Sequence, residues 1–183
     1  MKPHLAIAML ALLAGTPSAF SQQAISTLPA VSDNKVDTDT FAKTLVSANR
    51  FEIESSKLAE KKGVAPDVAD FAALMVKDHT KAGQDFKAAL ERSQTTASIK
   101  PEGPPMLPKD QALLDQLKAL DGEAFQAKYI TLQTEAHKQA VAMFSTYARS
   151  GDDPALKEFA KKTLEVLKMH EMHAKELAVA HQG

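Results

Sequence analysis

The stretch from Pro66 to Leu90, PDVADFAALMVKDHTKAGQDFKAAL, decides the fold. Val68, Ala72, Met75, His79, Ala82, Phe86 and Ala89 recur in it at intervals of three and four, with Phe71, Leu74 and Leu90 beside them. That spacing is the period of an amphipathic α-helix. Pro66 suits its first turn, where a missing N–H costs nothing. The pattern predicts a helix from Pro66 to about Ala97. His79 is the one strongly polar member of its apolar stripe.

The same pattern recurs on both sides. A helix over Thr38–Lys62 carries Phe41, Leu45, Ala48, Glu52, Ser55 and Ala59 on one stripe; Lys61 and Lys62 suit the negative end of its dipole, and Gly63 suits a left-handed stop. Ser98 to Pro108 holds four prolines and a glycine and reads as a loop. Lys109 to Leu120 reads as a short helix facing inward through Leu113, Leu114, Leu117 and Leu120. Asp121 then caps a long helix running to about Arg149, with the stripe Ile130, Gln133, His137, Ala140, Phe144 and Tyr147. Gly151 stops it. Asp153 and Pro154 open the last helix, which runs to about Ala180 with Phe159, Thr163, Val166, His170, His173 and Leu177 facing inward.

Four long amphipathic helices with two tight turns predict an all-α, antiparallel four-helix bundle with a short extra helix between its second and third long members. The 24 residues from Ser98 to Asp121 leave two topologies open. They can fold locally, or they can run the length of the bundle, since a half-helical segment of that size reaches roughly 55 Å.

Each long helix offers one metal-binding side chain on its inward stripe: Glu52, His79, His137 and His170. A rise of about 1.5 Å per residue puts the four within one or two turns of a common level in either topology. Three imidazoles and a carboxylate suit zinc, iron, copper or manganese, and bundle cores are a usual place for such ligands. Asp78 beside His79, Gln133 one turn before His137 and Tyr129 two turns before it are candidate partners for the second ring nitrogens. The competing reading is a buried Glu/His polar network without metal, in a structural or interaction module. A second cluster, Met169-His170-Glu171-Met172-His173, combines thioethers with imidazoles, a set that favours copper(I). Its plainer reading is methionines filling gaps in a helical core.

The amino terminus reads as an export signal: Lys2, an uncharged apolar run from Leu5 to Ala14, helix breakers at Gly15 and Pro17, and small residues at Ala19 and Ser21. The run is about half the ~20 residues needed to cross a bilayer. The expected organisation is therefore a signal peptide over 1–21, a polar lead-in over 22–37 and a helical domain over 38–181, exported to the periplasm and possessing no later membrane span. The formal net charge of −1 and the lack of a basic block beside aromatics give no field for nucleic acid. No cysteine is present, which excludes disulfides, thiolate metal sites and cysteine nucleophiles. No nucleophile–His–Asp pattern or phosphate loop marks an enzyme, so no catalytic residue is assigned.

Phe51-Glu52-Ile53, Leu58-Ala59, Phe71-Ala72 and Met75-Val76-Lys77-Asp78-His79 resemble the first two helices of domain-of-unknown-function family 4142. Tyr129 with His137, and Leu164-Glu165-Val166-Leu167 before His170, resemble its last two. The resemblance spans Thr38 to Ala180. It implies an exported bacterial domain of ferritin-like fold, often labelled an outer-membrane protein; binding or stress protection is the role that the mid-bundle ligand set itself suggests. It implies a fold more than a function. True ferritins carry Glu-x-x-His on two helices. Here Val76, Thr134 and Leu167 precede the three histidines by three, so a carboxylate-bridged di-iron centre is not expected.

Overall fold

The computed structural model describes residues 35–93 and 106–181. The leader, most of the lead-in and the proline-rich loop lie outside the described residues. Five helices follow one another: α1 (Thr38–Lys62), α2 (Pro66–Arg92), α3 (Pro108–Lys118), α4 (Gly122–Ser150) and α5 (Pro154–Ala180). No strand occurs among the described residues.

Local chemistry sets the boundaries. Asp37 caps α1 by accepting from the Thr40 N–H at 2.9 Å, and Gly63 ends it at φ +66°, a left-handed conformation that glycine adopts without strain. Pro66, Pro108 and Pro154 each stand in a first turn. Asp153 caps α5 by accepting from the Leu156 N–H at 2.9 Å. Two expectations need correction. α2 stops at Arg92, short of Ala97, because Ser93 turns extended and its hydroxyl donates to Asp153. Asp121 occupies the N-cap of α4, but its side chain makes no capping bond. It pairs with Lys62 instead, whose ammonium also donates to the Leu120 and Lys118 carbonyls.

The contacts between helices resolve the topology. α1 packs on α2 and α4, and α5 packs on α2 and α4. Thr38, opening α1, bonds Tyr147 near the end of α4 at 2.7 Å; Ser56, late in α1, bonds Tyr129 early in α4 at 2.8 Å. α1 and α4 are therefore antiparallel. Ser93 meets Asp153 at one end of the bundle, and Lys62 meets Asp121 at the other. Ser93 and Asp121, which flank the α2–α4 connection, therefore stand at opposite ends of the bundle. α3 runs beside the later part of α1 toward the Asp121 end, fastened by Ser47, which accepts from the Leu107 N–H at 2.7 Å and donates to Asp110.

Apolar packing occurs in two separate clusters. Phe41, Leu45, Phe86, Phe144, Tyr147, Leu156, Phe159 and Leu167 anchor one, with Phe41 stacked on Tyr147 at 3.9 Å between centroids. Phe51, Phe71, Met75, Leu117, Phe125, Tyr129, Ile130 and Leu177 anchor the other. Buried His79, Gln133, His137 and His170 lie between the two clusters along their helices, and buried Glu52 follows Phe51 at the edge of the second. On α5 the inward stripe runs through Leu167 and Ala174, while Val166, expected inward, is exposed. Stripes through 166 and through 167 both have helical spacing, so the period alone does not choose between them.

Candidate metal centre

His79, His137 and His170 converge between the two apolar clusters. One ring nitrogen from each lies within 4.8 Å of the other two. The Nε2 atoms of His79 and His137 are 3.4 Å apart, and the three ring centroids are separated by 5.3–5.6 Å. All three residues are buried, each from a different long helix.

The outer nitrogen of each ring is spoken for. His79 Nδ1 is 3.0 Å from Asn49 Oδ1, His137 Nδ1 is 2.9 Å from the Gln133 carbonyl, and His170 Nε2 is 3.0 Å from Asp78 Oδ2. Each partner atom is an oxygen that accepts, so each imidazole donates outward. The inner nitrogens, Nε2 of His79 and His137 and Nδ1 of His170, then carry lone pairs. His170 Nδ1 is buried with no partner among the described residues.

Protons are a poor counterweight for these lone pairs. Burial pushes His79 well below the usual imidazole range, helped by the neighbouring histidines. Burial likewise brings His137 down to about 4, its bond to Gln133 opposing the shift. It lowers His170 too, although the Asp78 carboxylate pulls in the opposite direction. Three neutral rings with facing lone pairs repel one another; a cation among them removes that repulsion. Metal–nitrogen bonds of about 2.0–2.1 Å in a tetrahedral site place ligand nitrogens roughly 3.3 Å apart. The His79–His137 separation already matches that span.

The expected fourth member does not join the cluster. Glu52 is buried but lies outside the group that the three imidazoles form. Its surroundings also suit a neutral acid. Burial raises its carboxyl to about 8, with Asp110 adding to the rise and the Gln133 amide opposing it. Glu52 Oε2 and Gln133 Oε1 have no partner among the described residues. Beside them, Gln133 Nε2 donates to Ser55 Oγ at 3.2 Å.

Asp78 is present at the site, but it serves His170 on α5 rather than its sequence neighbour His79. Gln133 serves His137 through its main chain, not its amide. Tyr129 bonds Ser56 and takes no part. His173 is outside the group that the triad forms; its ring meets Phe71 in a T-shaped contact, 5.0 Å between centroids. Asn49 was not among the sequence candidates. Its signal was available, since it follows Leu45 by four and precedes Glu52 by three on the inward side of α1.

A family model described as "Domain of unknown function (DUF4142)" matches residues 21–177. The chain belongs to that family. A comparison with curated proteins finds no match. Among solved structures, the DUF4142 chain resembles "CopM in the Cu(II)-bound form", with a TM-score of 0.65 and 15% identity. The likeness covers 80% of this chain and 99% of that one. At that identity it speaks for a shared helical-bundle fold. Among the described residues, no helix is long and apolar enough to cross a membrane.

Proposed function

We propose that this DUF4142 chain is an exported, ferritin-like four-helix protein that binds one transition metal ion through His79, His137 and His170. The observation carrying this reading is the outward hydrogen bonding of all three imidazoles, which aims three lone pairs at one buried point. Metal-binding histidines characteristically donate their second N–H to a carboxylate, carbonyl or similar acceptor. Three histidines with one position left over suit Zn(II) or Cu(II) better than Mg(II) or Ca(II), which prefer oxygen donors. The crossover between α2 and α4 supports the ferritin-like arrangement, which has one such connection. The leader-like amino terminus supports export to the periplasm. The copper-bound state of the CopM neighbour makes Cu(II) the first ion to try. Binding or stress protection, rather than turnover, fits a site lacking an assigned nucleophile.

The second reading keeps the same residues as a metal-free polar network. The 3.4 Å approach of His79 to His137 favours it, because an Asn49 amide turned to present its NH2 to His79 Nδ1 frees a neutral His79 to donate from Nε2 to His137. Elemental analysis of untagged protein from the periplasm, after loading with Cu(II) or Zn(II), separates the two. The metal reading expects one ion per chain, lost in a His79→Ala/His170→Ala double variant that still folds by circular dichroism. Protein that takes up no stoichiometric ion under either loading would sink it.

A further inference from the structure

The large apolar side chains exposed among the described residues all lie on α5: Val166, Met169, Met172 and Val179. Two of them are methionines, with Met169 48% and Met172 57% exposed. Gap-filling in a core explains neither. Met75, by contrast, is fully buried and packs as methionines in cores do. An exposed helical position is ordinarily filled by a charged residue, and leaving a thioether there forgoes the gain from its burial.

Geometry places these thioethers beside one imidazole. At about 100° per residue, Met169 sits roughly 60° from Met172 and roughly 40° from His173 around the α5 axis. Met169 therefore lies between the other two, at the i,i+3 and i,i+4 spacings that bring helical side chains together. His173 is half-buried, and its ring makes a T-shaped contact with Phe71. No hydrogen bond to its ring nitrogens occurs among the described residues. A braced imidazole with two flexible thioethers results. The nearby cations are already compensated: Lys168 pairs with Glu165 at 2.9 Å and Lys175 with Glu171 at 2.5 Å. They leave little charge to repel a monovalent ion.

We propose that Met169, Met172 and His173 form a second, surface site on α5 that binds Cu(I) through two thioether sulfurs and one imidazole nitrogen. Soft thioethers select Cu(I) over zinc, calcium or magnesium, and a three-ligand set suits its low coordination number. The site shares no residue with the buried triad, because His170 faces inward between Met169 and Met172 in sequence. It stands whether or not the triad binds metal.

Ag(I), a soft monovalent ion without redox chemistry under these conditions, is the first probe. Titrated into the intact chain, it should shift the methionine methyl resonances of Met169 and Met172 while leaving Met75 unmoved. Anaerobic competition for Cu(I) against a chromophoric chelator gives the affinity. A Met169→Leu/Met172→Leu variant, changed only at exposed positions, should bind Cu(I) at least tenfold more weakly and keep any Cu(II) or Zn(II) bound by the triad. His79→Ala should leave the Ag(I) shifts intact. Methyl resonances that ignore Ag(I), or a double-Leu variant with the parent's Cu(I) affinity, would overturn the proposal.

Discussion

Asp78 and His79 are neighbours in sequence but serve different rings. Adjacent residues on a helix point about 100° apart, so Asp78 faces α5 while His79 faces the bundle centre. That is why the stripe revealed the histidine but not which ring its neighbour would orient. Asp78→Ala removes the acceptor that fixes His170 at 3.0 Å. Losing such a partner typically costs 10–100-fold in metal affinity. The expected result is a drop of that size in competition titrations, with helical content unchanged. Glu52 shows the other limit of sequence reading. Its burial was legible from the α1 stripe, but a depth estimate good to one helical turn spans about 5.4 Å. A metal bond of about 2 Å demands far finer placement, so co-ligation could not be read from spacing.

At the scale of elements, the helices and both tight turns were legible because caps and stops are local chemistry. Two departures have local physical causes. Asp121 has the composition of a cap, yet Lys62 from α1 draws its carboxylate away, a contact no local window contains. On α5 the inward stripe held at Phe159, His170 and Leu177 and missed at Val166, where Leu167, which fits the period equally well, is buried instead. The caps give a paired prediction. Asp153→Ala should cost about 1–2 kcal/mol, the usual value of a working N-cap. Asp121→Ala removes a carboxylate that is 86% exposed and leaves the half-buried Lys62 its bonds to the Leu120 and Lys118 carbonyls, so it should cost under about 1 kcal/mol. Urea denaturation of the two variants checks the difference, and equal losses would refute this account of the caps.

For the whole molecule, the crossing from α2 to α4 was left open because reach alone permits both topologies. Long-range contacts such as Ser93 with Asp153 and Lys62 with Asp121 decide it. The polar layer gives the metal-free protein a distinctive pH response. The buried histidines have lowered pKa values, so they contribute stability above the ordinary imidazole value of 6.5 that is lost as pH falls toward about 4. Glu52 is an acid with a raised value, so unfolding releases its proton and stability falls as pH rises from about 4.5 to about 8. Three imidazoles outweigh one carboxyl on the acid side. Above pH 6.5 only Glu52 remains in play. Stability should therefore peak near pH 6.5 and decline by up to about 2 kcal/mol by pH 8. Glu52→Gln should flatten that alkaline decline and leave the acid one. Chelator-treated protein melted across this range tests the sign directly.

The three histidines come from α2, α4 and α5, and none comes from α1 or α3. An ion held by them would act as a covalent cross-link does in a chain that has no cysteine. His79 and His137 alone enclose a loop of 58 residues, for which chain-entropy arguments give about 4 kcal/mol of constraint on the unfolded state. His137 and His170 close a second, shorter loop. Every residue of α1 lies upstream of the first knot, and α3 hangs inside the larger loop without being tied. Metal would thus staple three helices into one unit and leave α1 free to detach first, so that amide exchange slows in α2, α4 and α5 while α1 keeps the pace of the metal-free protein.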